Sequence, residues 1–154
     1  MNLPKDFEYY LLKGIVRKIT PDMPRAKFLI EESEISFEGL KEAIQIIGIN
    51  NKNANLMVKN CYDILMGLIR AKLLFEGYVS SGNYAHEAEI SYLKKINFSD
   101  NEISFLNELR HFRNSVTYYG KILDKEYAEK IAEFAKKNYL KLKKLVNKKR
   151  WNDS

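Results

Sequence analysis

Proline is confined to one end of this chain. Pro4, Pro21 and Pro24 all lie within the first 24 residues, and none occurs from Arg25 to Ser154. Glycine is also sparse, at 7 residues. A sandwich or barrel needs a turn after every short strand, and turns draw on these two residues. A long stretch almost free of them is built for helices. With 45% hydrophobic residues in 154, the chain also carries enough apolar material for one packed core.

Apolar spacing places the helices. Met57, Cys61, Ile64, Leu68, Ala71 and Phe75 recur at intervals of 4, 3, 4, 3 and 4, the seam of a helix in a bundle. A helix over 25–48 carries Phe28, Leu29, Leu40, Ile44 and Ile47. Ser99-Asp-Asn-Glu102 reads as a capping box, opening a helix to about residue 119 with Ile103, Leu106, Leu109, Phe112, Val116 and Tyr119. Gly120 is placed to end it in the left-handed conformation. Asp124 caps a last helix to about residue 149, with Ile131, Phe134, Ala135, Leu142, Leu145 and Val146 on its buried side. The segment Asp6–Thr20 reads as a first helix ended by Pro21-Asp-Met-Pro24. Tyr78–Asn83 reads as a loop, and Tyr84–Ile96 as a shorter helix.

Together these elements predict an all-α protein. The architecture is an up-and-down antiparallel four-helix bundle (25–48, 53–77, 99–119 and 124–149). An extra N-terminal helix precedes it, and a short helix lies before the third bundle helix. The organisation is a helical extension over 1–22 and a bundle over 23–150.

Charge and cysteine narrow the partners. Residues 1–135 hold 18 basic and 19 acidic side chains, while 136–154 hold 8 basic and one acidic, so the net +6 comes from the tail. Lys137, Lys141, Lys144 and Lys148 form a basic side of the last helix, which either meets phosphates or is a solvated face. Trp151 either packs on a second copy or lies outside the folded part. The lone Cys61 excludes an intrachain disulfide and fits a reducing compartment, the cytoplasm. The longest stretch without Asp, Glu, Lys or Arg is Gly77–His86, far short of the about 20 apolar residues of a membrane span. Metal-ligand spacings, phosphate-cradling glycines and a Gly-x-Ser-x-Gly elbow are absent. The sequence therefore implies no metal and no cofactor.

The densest polar cluster is Arg110-His111-Phe112-Arg113-Asn114, followed by Tyr118-Tyr-Gly-Lys121. Arg113 lies between Leu109 and Val116, on or beside the apolar stripe, and Arg110 shares its side. An arginine there needs an acid, a phosphate or a backbone carbonyl. The pair either holds an anion or is neutralised by Glu108 or by acids of the second helix. His86, near the start of its helix, reads as a surface or capping contact.

These residues resemble the HEPN family (higher eukaryote and prokaryote nucleotide-binding domains). The resemblance runs through Arg70-Ala-Lys-Leu-Leu-Phe-Glu-Gly-Tyr78, Tyr84-Ala-His-Glu-Ala88, Phe98 to Asn114 and Tyr118 to Lys121, over roughly residues 25–146. It implies a usually dimeric four-helix bundle, often a metal-independent ribonuclease toxin paired with a small nucleotidyltransferase. The family signature is an arginine, often followed by a polar residue, with a histidine after four to six intervening residues. Arg113 and Asn114 fit its first half, but Tyr118 and Tyr119 stand where the histidine belongs. A phenol, with a pKa near about 10 against about 6.5 for imidazole, is a poor base at neutral pH.

The resemblance thus implies a homodimer that binds RNA or a nucleotide through a degenerate nuclease site. In that site Arg110 and Arg113 meet phosphate, Asn114 orients phosphate or ribose, and Tyr118 stacks or donates, while Tyr119 packs in the bundle. His111 and Lys121 complete the candidate set. An active ribonuclease in which Tyr118 or His111 serves, and a structural partner protein without ligand, are the competing readings. His111 lies about 200° around the helix from Arg113, so within one chain the two side chains diverge.

Overall fold

A computed structural model describes residues 1–119 and 122–152, with side chains placed for 1–114 and 122–147. The side chains of Tyr118, Tyr119, Lys148 and Trp151, and Gly120 and Lys121 altogether, therefore lie outside the description. The elements are α1 (Phe7–Leu12), β1 (Val16–Lys18), α2 (Met23–Ile46), α3 (Ala54–Glu76) and β2 (Tyr78–Ser80). They continue with α4 (Ala85–Ser91), a 3-10 turn (Tyr92–Ile96), α5 (Asp100–Tyr119) and α6 (Lys125–Asn152).

The bundle consists of α2, α3, α5 and α6, each antiparallel to the one before it. Ser33 of α2 meets Ile64 of α3, and Asp63 of α3 meets Arg113 of α5. Phe105 and Phe112 of α5 pack with tilted rings against Phe134 and Tyr127 of α6. The chain thus rises and descends as its pattern predicts.

The centre is α3, which packs on α2, α4, α5, α6 and β2. Its predicted seam is buried, but so are Val58, Tyr62, Leu65, Met66, Ile69, Leu73 and Leu74. A helix buried on more than one face belongs to the middle of a core, and on α3 only a few positions such as Leu56, Asn60 and Asp63 stay exposed.

On α2 the predicted stripe needs correction. Ala26, Ile30, Ser33, Phe37 and Leu40 face the core, whereas Phe28 and Ile47 are exposed. The small residues at 26 and 33 hid this stripe. At Ser33 the small size has a cause, because α2 and α3 approach closely there and a Cβ at Gly67 would run into Ser33 Oγ. Ser33 Oγ donates to the Ile64 carbonyl at 3.2 Å.

The N-terminal segment departs most from expectation. The helix predicted over 6–20 stops at Leu12, because Gly14 turns left-handed (φ +71°), and the chain continues as β1. The expected loop after α3 contains β2, paired antiparallel with Val16 opposite Ser80 and Lys18 opposite Tyr78. Gly77 makes this possible. It sits at φ +83°, and a Cβ there would fall 2.7 Å from the Ile19 carbonyl. Phe7, Tyr10 and Val16 are buried in the same core as the bundle. The helix expected over 84–96 is divided into α4 and the 3-10 turn, which ends at Asn97 with φ +67°.

The caps form as their spacing requires. Glu102 N donates to Ser99 Oγ and Ser99 N to Glu102 Oε1, both at 3.1 Å. Tyr127 N donates to Asp124 Oδ1 at 2.8 Å. Asp22 caps α2 through the Arg25 amide at 3.2 Å, so the proline run opens a helix. No helix of the described residues is long and apolar enough to cross a membrane.

Candidate functional site

The polar cluster predicted on α5 faces α3 and α4. Three residues apart, Arg110 and Arg113 share one side of α5. Both guanidinium charges bear on the Tyr62 phenol of α3. Each arginine also has an acid of its own chain nearby. Glu87 of α4 stands 3.7 Å from Arg110 Nη2, and Asp63 of α3 stands 3.8 Å from Arg113 Nη2. The expected acids, Glu108 or those of the second helix, are not the ones that face them. Asp63 is 58% exposed against 27% for Arg113, and an ion pair that long and that wet is weakly held.

Arg110 is fixed more firmly. Its Nε donates to Asn107 Oδ1 at 3.0 Å. Asn107 is itself buried, and its Nδ2 donates to the Asn2 carbonyl at 3.2 Å. Tyr10 of α1 lies against Glu87, and burial followed by that carboxylate pushes its phenol up to about 12. The N-terminal segment therefore props the Arg110 end of the cluster, which no local sequence pattern announces.

His111 is exposed, with Nε2 3.3 Å from Arg110 Nη2, so this nitrogen accepts from the guanidinium. Asn114 is half-buried. Placement of Tyr118 relative to Arg113 lies outside the described side chains.

Sequence reasoning missed Tyr62 and read His86 as a surface or capping contact. Tyr62 is fully buried, with its hydroxyl 3.1 Å from His86 Nδ1. Burial pushes the phenol well above its usual range. His86 is not merely a surface or capping residue. Burial holds its pKa below the ordinary value, with Arg70 and Arg113 acting in the same sense against Glu89 and Asp63. The available signal was Tyr62 itself: a phenol one turn from Leu65 on an apolar helix must be buried, and a buried phenol needs a partner.

Beside this cluster, Arg70 and Glu89 form a bidentate pair at 3.1 and 3.2 Å. Ser80 Oγ donates to Glu89 at 2.9 Å. Glu89 is 2% exposed, so this network ties α3, α4 and β2 together. An open cavity of ≈ 270 Å³, lined by Asp63, Asn60, Ser33 and Arg70 among others, lies between α2 and α3. No group of three or more His, Cys, Asp or Glu among the described residues is placed to hold a metal ion.

Chemically, the cluster offers guanidinium and imidazole nitrogens toward an anion, with two carboxylates that such an anion would displace. The chain matches no protein-family model, and no curated protein matches it significantly.

Proposed function

We propose that this protein is a HEPN-like RNA- or nucleotide-binding protein with a degenerate ribonuclease site. The reading rests on the convergence of Arg110 and Arg113 on Tyr62, whose hydroxyl meets His86. Guanidinium groups suit phosphate because their fork matches its oxygens. Arg110 enters with its Nε already held by Asn107, so little freedom is lost when its remaining donors engage a ligand. Asp63 and Glu87 offset part of the positive charge, so binding is modest and sensitive to salt. No histidine follows Arg113 in the chain, which favours binding over cleavage. In the same reading two copies meet across the α5 clusters in the cytoplasm, and a small nucleotidyltransferase is the protein partner.

Purified protein incubated with labelled RNA in the absence of metal tests this. Retention without cleavage, lost in Arg113→Ala, supports it. Cleavage lost in Arg113→Ala replaces it with an active ribonuclease of a toxin–antitoxin pair. No retention at low salt leaves a structural partner protein.

A further inference from the structure

We propose that Tyr62 locks His86 as its Nε2–H tautomer, so that His86 serves the α5 cluster as a hydrogen-bond donor to a phosphate oxygen and not as a base. The inference rests on the binding function proposed above and assigns it a residue from another helix.

The argument begins with the phenol. Tyr62 is sealed in the core, and its hydroxyl has one partner among the described residues, His86 Nδ1 at 3.1 Å. A neutral imidazole carries one proton on one of its two nitrogens. If that proton were on Nδ1, it would point at the Tyr62 oxygen, and the phenol hydrogen would be buried with no acceptor. A buried donor without an acceptor is the more costly arrangement. The phenol therefore donates, Nδ1 accepts, and the ring proton is on Nε2.

Ionisation of either partner offers no escape. Burial keeps the phenol protonated. Protonating the ring would put a hydrogen on Nδ1 and strand the phenol again. The charges around the ring oppose one another, with Arg70 and Arg113 against Glu89 and Asp63.

Nε2 makes no hydrogen bond among the described residues and is not a sealed, unpartnered atom. It is thus available to a ligand oxygen, with Arg113 of the α5 cluster close enough to act on the ring. A donor at this position binds an anion. Taking a proton from a ribose hydroxyl would require the opposite tautomer.

Long-range proton–nitrogen NMR of the full ¹⁵N-labelled chain reads the tautomer directly, and His111→Gln assigns the two rings. The expected spectrum shows His86 Nδ1 bare and Nε2 protonated at neutral pH, with both nitrogens moving toward an exchange-averaged position in Tyr62→Phe. A protonated Nδ1 in the unsubstituted chain overturns the proposal.

A short 2′-O-methyl RNA oligonucleotide, which cannot be cleaved, supplies the second readout. His86→Leu is expected to weaken retention about tenfold, and His86→Gln, which keeps an N–H, by less. Retention that needs Arg113 but is equal in His86→Leu sinks this inference and leaves the binding function standing. Absence of any retention sinks both. Cleavage of unmodified RNA that disappears in His86→Gln also overturns it, because that chemistry needs a bare Nε2.

Discussion

Arg110 is held by Asn107. The Arg110 Nε donates to the Asn107 side-chain oxygen at 3.0 Å, and the same amide reaches back to the carbonyl of Asn2 at 3.2 Å. A buried asparagine thus joins the start of the chain to the candidate anion site.

Asn107→Leu removes both contacts at once. It is expected to cost about 1–3 kcal/mol, measured by urea unfolding. Oligonucleotide retention should fall with it, as Arg110 loses its brace. Unchanged retention in a folded variant would detach Arg110 from binding.

Salt dependence separates the two arginines from the lysine side of α6. Arg110→Ala and Arg113→Ala should each lower the slope of log retention against log salt by about 1. Substituting Lys137 and Lys144 together should leave the slope alone. The reverse pattern would move the phosphate contacts to α6.

The close approach of α2 and α3 makes Gly67 and Ser33 a coupled pair. Gly67→Ala is expected to destabilise by about 1–3 kcal/mol. In a Ser33→Ala background the added cost should shrink by at least about 0.5 kcal/mol, because the atom in the way is gone. Additive losses in a denaturation series would deny the clash.

Glu102 links the α5 cap to acid stability. Burial alone would raise its pKa, but the Ser99 amide and hydroxyl, with Lys141, hold it below the usual carboxylate value. The unfolded chain therefore binds the proton more readily. This stability is present above the unfolded pKa near about 4.3 and is lost as pH falls through the folded value. Glu102→Gln should flatten that limb of a stability–pH curve. Ser99→Ala should cost about 0.5–2 kcal/mol.

His86 acts in a higher window. Its pKa is held low by burial first, so the unfolded chain again takes the proton more readily. Its contribution is complete above the unfolded value near about 6.5 and declines as pH falls through the folded one. His86→Gln should remove the slope between those two points while Glu102 still shapes the acid limb.

The fold was legible where one short-range rule acted alone. Ser99 and Glu102 are three residues apart, and Asp124 precedes Tyr127 by three, so their caps follow from spacing. The α3 seam follows from periodicity, though periodicity does not reveal that Tyr62, Met66 and Leu73 are covered too. The α2 stripe was obscured because Ala26 and Ser33 are small, and at Ser33 the close approach of Gly67 matters more than hydrophobicity. The short α1 was hidden because Gly14 adopts a positive φ that only the folded chain displays.

Of the candidate site, Arg110 and Arg113 were visible as charges beside an apolar stripe. Their acids, Glu87 and Asp63, were not, since each comes from another helix. The Tyr62–His86 contact spans 24 residues, and no local pattern records it.

The two-sided grip on α3 has a mechanical consequence. Its Gly67 seats Ser33 on one flank, and its Tyr62 grips His86 on another, barely more than one turn away. Held at both points, this rod cannot slide without disturbing both grips. Wedging α2 away from it should therefore register as a change in the imidazole resonances, although no ligand has been touched.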